Sequence, residues 1–273
     1  MKSIATLITV YNRREKTLKC LRNLIKQKLP NDFLLDIYLT NDGCTDGTPE
    51  AVRSEFPQVH IIEGNGSLFW NRGMYAAWCE AEKGNYDYYL WLNDDTFLFE
   101  NSLNNLIDTA QTDLGTIIVG VTIDSKQSKI TYGGWGQRGL IKDLSSTERC
   151  ITFNGNIVLI PKSVFSVLGK NDPYFRHTLG DLDYGLRATE HGIPIKACPT
   201  ISGICDTHNS IPKWKDPQVN LIKRLKYLYS TGGNGSNPWE QFYFRKRHYG
   251  RVPAIIILIS SHLHAIIPKL WRS

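Results

Sequence analysis

An apolar stretch that ends in carboxylates constrains this chain more than any other feature. Tyr88 to Leu92 form an aromatic and aliphatic run typical of a buried strand, and Asn93, Asp94 and Asp95 follow it directly. Ionised carboxylates beside a buried strand are costly unless a positive charge compensates them. A divalent cation with oxygen ligands would supply that charge. The alternative is structural: Asn93 and Asp94 make a turn, and Asp95 caps the next helix.

Strand and helix signals alternate through the first hundred residues. Strands are predicted at 4–10, 34–39, 59–62 and 88–92, and helices at 12–27, from a Thr48 cap onward, and from Asn71 or Gly73 onward. Strands separated by helices of this length form βαβ units and a mainly parallel sheet. Their carboxyl ends would bring residues 9–12, 41–46 and 93–95 to one edge, where open α/β sheets bind ligands.

Size and composition are those of a globular protein. The chain has 273 residues, of which 41% are hydrophobic and 21% charged, enough for a large α/β domain with a substantial core. Its six cysteines are scattered without a CxxC pair, which favours reduced, buried thiols over zinc ligands. The chain begins with a strand rather than the basic and apolar pattern of a signal peptide, so we expect it to be made and kept in the cytoplasm.

The segment 41–48, Asn-Asp-Gly-Cys-Thr-Asp-Gly-Thr, is rich in hydrogen-bond acceptors and in glycines that allow tight turns. Its Asp42 could accept a hydrogen bond from the ring N–H of uracil or thymine, or from a ribose hydroxyl. The segment contains neither GxxxxGK[ST] nor GxGxxG, which argues against a P-loop or dinucleotide site here. A turn without any ligand accounts for the segment equally well.

Three segments in this order resemble the nucleotide-side motifs of the family 2 inverting glycosyltransferases, which have the GT-A fold. They are Thr-Val-Tyr-Asn-Arg at 9–13, Thr-Asn-Asp-Gly-Cys-Thr-Asp-Gly-Thr at 40–48, and Leu-Asn-Asp-Asp-Thr at 92–96. The resemblance extends over residues 3–210 and implies an α/β protein with a GT-A-type, mainly parallel sheet flanked by helices. The segment 64–73 is similar to one over the donor in members that include rhamnosyltransferases.

The resemblance implies how a nucleoside-diphosphate sugar would be held. Thr9, Tyr11 and Asp42 would hold the base and ribose. Arg72, in the segment that lies over the donor, could reach a phosphate, although a surface position is an equally good account of it.

The same resemblance assigns the acidic end of the apolar strand. Asn93 and Asp95 would take the outer places of the Asp-x-Asp signature, with Asp94 between them on the donor side. Asp95 would bind Mg²⁺ or Mn²⁺ together with the diphosphate. Asn93 departs from the aspartate often found there, so Asp95 is the firmer of the two.

Catalytic and acceptor-side residues are expected in the second half. Asn154 and Gly155 occupy places that face the donor sugar in the family. Asp181 aligns with the family's catalytic base, at the start of a predicted helix whose dipole would lower its pKa while the neighbouring Asp183 would raise it. The alternative for Asp181 is a helix cap. Gly180 stands where the family has a glutamate.

Two further residues of the second half carry expectations. His208 lies where the family places a histidine near the metal and the diphosphate. The glycine-rich stretch 131–136 is predicted to form a turn or loop. Its Trp135 could stack against a sugar ring, but we favour a core anchor for a hairpin.

The carboxyl-terminal part of the chain is basic and apolar. From residue 213 onward there are eleven Lys and Arg against two acidic residues, which suggests an anionic surface as partner. The apolar stretch 252–268 is interrupted by serines and histidines and falls short of a spanning helix. An in-plane helix on an anionic membrane fits better, with Trp271 at headgroup depth. Packing on the protein itself or in a homodimer is the alternative.

These observations predict a metal-dependent inverting glycosyltransferase. Residues 1–212 would form its GT-A domain, with a nucleotide-sugar half at 1–100 and an acceptor half at 101–212, followed by a helical extension at 213–273. Its partners would be a nucleoside-diphosphate sugar, a glycan or lipid-linked acceptor and the inner face of the cell membrane, and not nucleic acid. The alternatives are a non-catalytic membrane-associated binding module and a nucleotidyltransferase.

Overall fold

The computed structural model of the protein describes residues 1–145, 149–207, 212–230 and 237–268. Strands and helices alternate through the first part, as the sequence predicts. The strands are β1 (Lys2–Val10), β2 (Phe33–Asn41), β3 (His60–Glu63), β4 (Tyr88–Leu92), β5 (Phe97–Leu98), β6 (Ile117–Ile123), β7 (Ile130–Tyr132), β8 (Gly134–Gly136), β9 (Gly139–Leu140), β10 (Thr152–Phe153), β11 (Ile157–Pro161) and β12 (Ile195–Ile204). The helices are α1 (Arg14–Ile25), α2 (Thr48–Glu55), α3 (Phe69–Ala81), α4 (Ser102–Thr112), α5 (Lys162–Leu168), α6 (Gly180–Glu190), α7 (Leu221–Tyr229), α8 (Pro238–Tyr249) and α9 (Arg251–Ile266).

One mixed sheet dominates the described residues. Its strand order is β3-β2-β1-β4-β11-β6-β12-β5, with β7 paired to β6. The pairs among β1, β2, β3 and β4 are parallel, as is the pair of β6 with β12. Strand β11 runs antiparallel between β4 and β6. The predicted α/β class with a mainly parallel, helix-flanked sheet is confirmed, and the antiparallel β11 is what the sequence did not indicate.

Helices cover both faces of the central strands, which explains why those strands are apolar throughout. Leu90 and Leu92 of β4 join one buried cluster with residues of α1, α2 and α4, whereas Tyr89 and Trp91 join a second cluster with residues of α3 and α6. Side chains alternate between the two faces of a strand, and a strand buried on both faces is a continuous hydrophobic run. The burial of β4 on both faces therefore accounts for the sequence Tyr-Tyr-Leu-Trp-Leu.

Three local predictions were wrong in ways that have physical reasons. Helix α3 begins at Phe69, earlier than predicted, because the Asp42 carboxylate accepts the N–H groups at its start. Helix α2 is preceded by Gly47 in a left-handed conformation, and Asp46 rather than Thr48 supplies the side-chain acceptor. The stretch 131–136 contributes strands β7 and β8 rather than a loop.

The chain divides into two compact units. The first comprises Met1–Asp172 and Asp181–Thr207, and the second comprises Pro173–Gly180 and His208–Ser273. The predicted boundary at 212/213 and the predicted halves of the first domain stay predictions.

In the second unit, α8 and α9 pack against each other, and α9 also contacts α7. Its shorter segment is tied to α8 by an ion pair between Arg176 and Glu240 at 2.6 Å and by the rings of Tyr174 and Tyr243, with centroids 4.1 Å apart. The helical carboxyl-terminal extension is thus present as predicted. No helix among the described residues is long and apolar enough to cross a membrane.

Candidate active site

The edge of the sheet where β4 ends and β11 begins gathers several of the polar residues predicted to be functional. Leu92 pairs with Ile157 across the two strands, and the backbone N–H of Asn93 donates to the carbonyl of Asn156 at 3.0 Å. Because β11 is antiparallel, its first residues lie beside the last residues of β4. The pairing therefore brings 93–95 next to 154–156, although sixty residues of chain separate them.

Asp94 and Asp95 lie buried at this edge and share one cation of the chain. Nη1 of Arg13 lies 3.1 Å from Oδ1 of Asp94 and 2.9 Å from Oδ2 of Asp95, and Nζ of Lys16 lies 3.9 Å from the same Asp95 oxygen. Asp95 is 8% exposed. The arginine supplies part of the positive charge that the sequence argument required. Neither aspartate caps the next helix, which begins at Ser102.

Burial controls the protonation of this cluster. It raises the pKa of Asp94 to about 7, although the charge of Arg13 opposes the shift. It also raises the pKa of the Cys205 thiol to about 12, with Asp95 adding to the effect. Cys205 is therefore a protonated thiol at neutral pH, 3.9 Å from Oδ1 of Asp95 and 3.3 Å from the Asn156 amide nitrogen. Arg13, Asn156 and Cys205 were not assigned roles from the sequence, because only folding brings them to the carboxylates.

Asp42 organises the loop that precedes α3. Its Oδ1 accepts the backbone N–H groups of Gly66 at 2.9 Å and Leu68 at 3.1 Å, and its Oδ2 accepts that of Phe69 at 2.9 Å. A carboxylate has about four acceptor positions, so the loop occupies most of them. Its predicted contact with a base or a ribose stays a prediction.

The other residues predicted to hold the nucleotide are spread around the end of β1. Thr9 is buried beneath α3, where a Cβ added to Gly73 would lie 2.1 Å from its Oγ1. Tyr11 follows the strand and is 56% exposed. Arg72 lies in the first turn of α3 and is partly exposed. The structure therefore assigns Thr9 a packing contact that the motif alone did not indicate.

Asp181 lies in the first turn of α6, as predicted. Its Oδ2 accepts the backbone N–H of Gly155 at 3.0 Å, and its Oδ1 accepts that of Leu182 at 2.8 Å. Removal from water raises the pKa of this carboxyl, although both N–H groups oppose the shift. Asp183 was expected to raise the pKa of Asp181 as well. Its carboxylate is instead buried in an ion pair with Arg187 at 3.0 Å, and it does not contribute to the shift.

Two tryptophans donate to the asparagines of this edge. Nε1 of Trp70 donates to Oδ1 of Asn93, and Nε1 of Trp135 donates to Oδ1 of Asn154, both at 2.7 Å. Trp135 is 39% exposed, so the expectation that it anchors a core was wrong. Trp70 had no assigned role, and its place beside Asn93 depends on tertiary contacts.

The metal-binding prediction involves a histidine outside the described residues. His208 lies in the stretch 208–211, which the structure does not describe. Within the described ranges, no three His, Cys, Asp or Glu side chains form a cluster that could hold a metal ion. Mg²⁺ is commonly held by one or two carboxylates together with substrate phosphates. The buried Asp95 carboxylate fits that arrangement, whereas an all-protein cage does not.

Sequence comparison decides the family. The sequence profile of glycosyl transferase family 2 matches residues 6–167, more than half of the chain. The chain belongs to glycosyl transferase family 2. A comparison with curated proteins gave no match.

Solved structures share the fold of this family 2 glycosyl transferase. They include the mannosyltransferase PcManGT from Pyrobaculum calidifontis in complex with GDP-Man and Mn²⁺, at 14% identity and a TM-score of 0.59, with 99% of this chain and 87% of that chain covered. TarS 1-349 of S. aureus in complex with UDP matches at 11% identity and a TM-score of 0.58, over 91% of this chain and 72% of that one. GalNAc-T7 with UDP, GalNAc and Mn²⁺ matches at 14% identity and a TM-score of 0.56, over 96% of this chain and 54% of that one. The expected GT-A-type fold is confirmed.

The raised pKa of Asp94 predicts a pH-dependent stability. The folded protein holds a proton on Asp94 that the unfolded chain releases, so the free energy of unfolding should fall as pH rises from about 4 through about 7. Asp94→Asn should remove that part of the dependence, on the order of 4 kcal/mol. Urea unfolding at several pH values measures it, with the exposed Asp108→Asn as control. An unchanged pH dependence in Asp94→Asn would contradict the assignment.

Proposed function

We propose that this protein is an inverting glycosyltransferase that moves a sugar from a nucleoside diphosphate to a glycan or lipid-linked acceptor in cell-surface polysaccharide synthesis. UDP- and dTDP-sugars, with rhamnose among the sugars, are the candidate donors. The observation that carries the proposal is the hydrogen bond from Gly155 to Asp181. It ties a desolvated carboxylate to the segment beside Asn93 and Asp95, so a base and a diphosphate-binding residue share one edge.

The proposed chemistry uses Asp181 as a general base. As the acceptor oxygen attacks the anomeric carbon, the Asp181 carboxylate takes the hydroxyl proton, and the bond from that carbon to the diphosphate oxygen breaks. Attack opposite the leaving group inverts the anomeric configuration. The Gly155 and Leu182 N–H groups hold the carboxylate in one orientation. The raised pKa of Asp181 makes it a stronger base than an exposed aspartate.

Asp95 would hold Mg²⁺ or Mn²⁺ when the donor is bound, with His208 as the second proposed ligand. The ion would offset negative charge on the leaving diphosphate. Arg13 and Lys16 add positive charge at the same carboxylates. The Mn²⁺ complexes of PcManGT and GalNAc-T7 support a divalent ion here. Thr9, Tyr11, Asp42 and Arg72 on the nucleotide side, and Asn93, Asp94, Asn154 and Gly155 toward the sugar, remain the proposed donor-binding residues.

The alternatives make different predictions about turnover. A non-catalytic membrane-associated module would bind a nucleotide sugar without releasing nucleoside diphosphate. A nucleotidyltransferase would release pyrophosphate from a nucleoside triphosphate instead, and membership of a glycosyl transferase family favours sugar transfer.

The second unit carries the proposed membrane surface. Helix α9 exposes one apolar stripe, and the residues of this stripe are Val252, Ile255, Ile256, Ile259, Leu263 and Ile266. Spacings of three and four residues place side chains on one face of a helix. Arg245, Lys246 and Arg247 lie near the end of α8, and Arg251 is the first residue of α9. An anionic membrane, at the inner face of the cell membrane, is the occupant that fits both charge and stripe. Trp271 lies outside the described residues.

Asp181→Asn tests the base. The change is nearly isosteric but removes the proton acceptor, so kcat should fall about 10²–10⁴-fold, while donor affinity changes little. Coupled detection of released nucleoside diphosphate measures kcat, and calorimetry measures donor binding. Asp113→Asn, which removes an ion pair with Lys196, is the control. Near wild-type kcat in Asp181→Asn would refute the role, and a product with retained anomeric configuration in NMR would refute inversion.

Asp95→Ala tests the metal. Wild-type protein should bind UDP or dTDP tightly with Mg²⁺ or Mn²⁺ and weakly in EDTA, because Asp95 would hold an ion that offsets the negative charge of the diphosphate. The variant should lose that metal-dependent part and the transfer activity. Glu100→Ala, at an exposed ion pair with Lys28, should behave as wild type. Equal nucleotide affinity with and without EDTA in the wild-type protein would count against the assignment.

Ile256→Glu/Ile259→Glu in the full chain tests the membrane surface. Wild-type protein should co-sediment with phosphatidylserine vesicles at low salt and dissociate in part at high salt, since each basic residue contributes about 1 kcal/mol that salt screens. The double variant should not bind. Ile222→Glu, on the exposed Ile222 of α7 outside the stripe, should bind normally. Loss of a dimer by the double variant, with wild-type protein indifferent to vesicles, would identify the stripe as a protein interface.

A further inference from the structure

Trp70 lies beside Asn93, Gly155 and Asp181, three residues of the proposed active site. Its indole N–H donates to Oδ1 of Asn93 at 2.7 Å. Its ring lies in a T-shaped contact with the fully buried Trp91, with centroids 5.8 Å apart. Two independent contacts therefore determine the orientation of a side chain that is itself partly exposed.

Gly155 is a glycine because the indole lies against its backbone. A Cβ added at Gly155 would lie 2.5 Å from Cη2 and 2.6 Å from Cζ2 of Trp70, and 3.3 Å from Cβ of Asp181. Real Cβ contacts essentially never fall below 3.0 Å, so a methyl group would displace the ring. The indole edge and the Asp181 side chain thus meet at the same point of the Gly155 backbone.

The loop before Trp70 is also held in place. The three N–H groups that Asp42 accepts belong to Gly66, Leu68 and Phe69, the last of which adjoins Trp70. Phe69 has a φ of 57°, in the left-handed region, a conformation that costs a bulky residue energy and persists where its surroundings enforce it. The carboxylate clamp and this turn direct the indole toward Gly155.

We propose that Trp70 is a specificity-determining residue that forms one wall of the donor-sugar subsite, in a fixed contact with Gly155. This inference rests on the proposed function, because Asp181 must act on an acceptor that attacks the sugar bound beside it. Trp70 is the large, rigid side chain next to that carboxylate.

The chemistry of the wall limits the sugars it accepts. Asn93 takes the one N–H that the indole can donate, and an indole has no acceptor. A hydroxyl or carboxylate directed at the ring would lose its water without gaining a partner, which is costly. The wall therefore favours a sugar that presents C–H groups on that side. An apolar pocket lowers the kcat/KM of a sugar with one additional hydroxyl by about 10²-fold at most.

A double-mutant cycle tests the contact without relying on activity. Gly155→Ala should lower the thermal midpoint in the wild-type background but lower it much less in a Trp70→Ala background, because the methyl group then finds space. Gly133→Ala, whose added Cβ would meet its nearest atom at an ordinary 3.5 Å, should have the same small effect in both backgrounds. Equal losses for Gly155→Ala in both backgrounds would overturn the contact.

Donor selectivity tests the functional part. Wild-type, Trp70→Phe and Trp70→Ala proteins would be assayed with UDP-, dTDP- and GDP-sugars, in pairs that differ by one hydroxyl. One pair of donors will be the one that the wild-type protein discriminates most strongly. For that pair, the ratio of the two kcat/KM values should fall about tenfold or more in Trp70→Ala and less in Trp70→Phe. Binding of the nucleoside diphosphate alone should be unchanged. Trp239→Ala, which removes an exposed indole of α8, is the control for loss of a tryptophan.

The outcomes separate this inference from the proposed function. Unchanged donor ratios in both Trp70 variants, with an active wild type, would refute the specificity role. A wild-type protein that turns over no donor would refute the proposed function. The double-mutant cycle, measured by the thermal midpoint, would still decide whether Trp70 and Gly155 are in contact.

Discussion

The candidate active-site edge depends on two carboxylates that are buried away from water. Asp94 and Asp95 follow a strand buried on both faces, and each is less than one-tenth exposed. Isolated buried charges are not stable in proteins; they are paired, protonated or bound to metal. The protein uses the first two devices, since Arg13 bridges both carboxylates and burial raises the pKa of Asp94. Strand burial, helix α1 and the protonation of this edge are therefore coupled.

The direction of strand β11 brings the residues of the candidate site together at this edge. A wholly parallel sheet would place the start of the next strand at the opposite edge from the end of β4. The antiparallel pairing of β11 with β4 instead brings Asn156 beside Asn93, and the adjoining Gly155 donates to Asp181. The proposed base and the proposed metal ligand thus lie at the same edge because one strand runs in the reverse direction. This is the feature that periodicity in the sequence could not reveal, because hydrophobic runs have no direction.

Backbone N–H groups orient Asp42 and Asp181, the two other carboxylates of the candidate site. Asp42 accepts three from the loop before α3, and Asp181 accepts two from Gly155 and Leu182. Hydrogen bonds to an ionised acceptor are stronger than those between neutral groups, and they need no second charged side chain nearby. The arrangement leaves the space beside Asp181 to an aromatic ring, Trp70, and makes glycine necessary at position 155.

The sequence by itself determined the class of fold and the position of the acidic residues of the candidate site. Apolar runs of strand length separated by amphipathic helical spacing specify an α/β sheet, and acidic residues directly after a strand must lie at its carboxyl end. The order of motifs also sufficed to predict the family. Tertiary structure alone decided which cation faces Asp94 and Asp95, that Asp42 clamps a loop, and that Trp70 lies against Gly155. These contacts join residues 24 to 85 positions apart in the chain. Local propensity carries no information about partners at that distance, because the energy that selects them is released when the whole sheet edge is assembled.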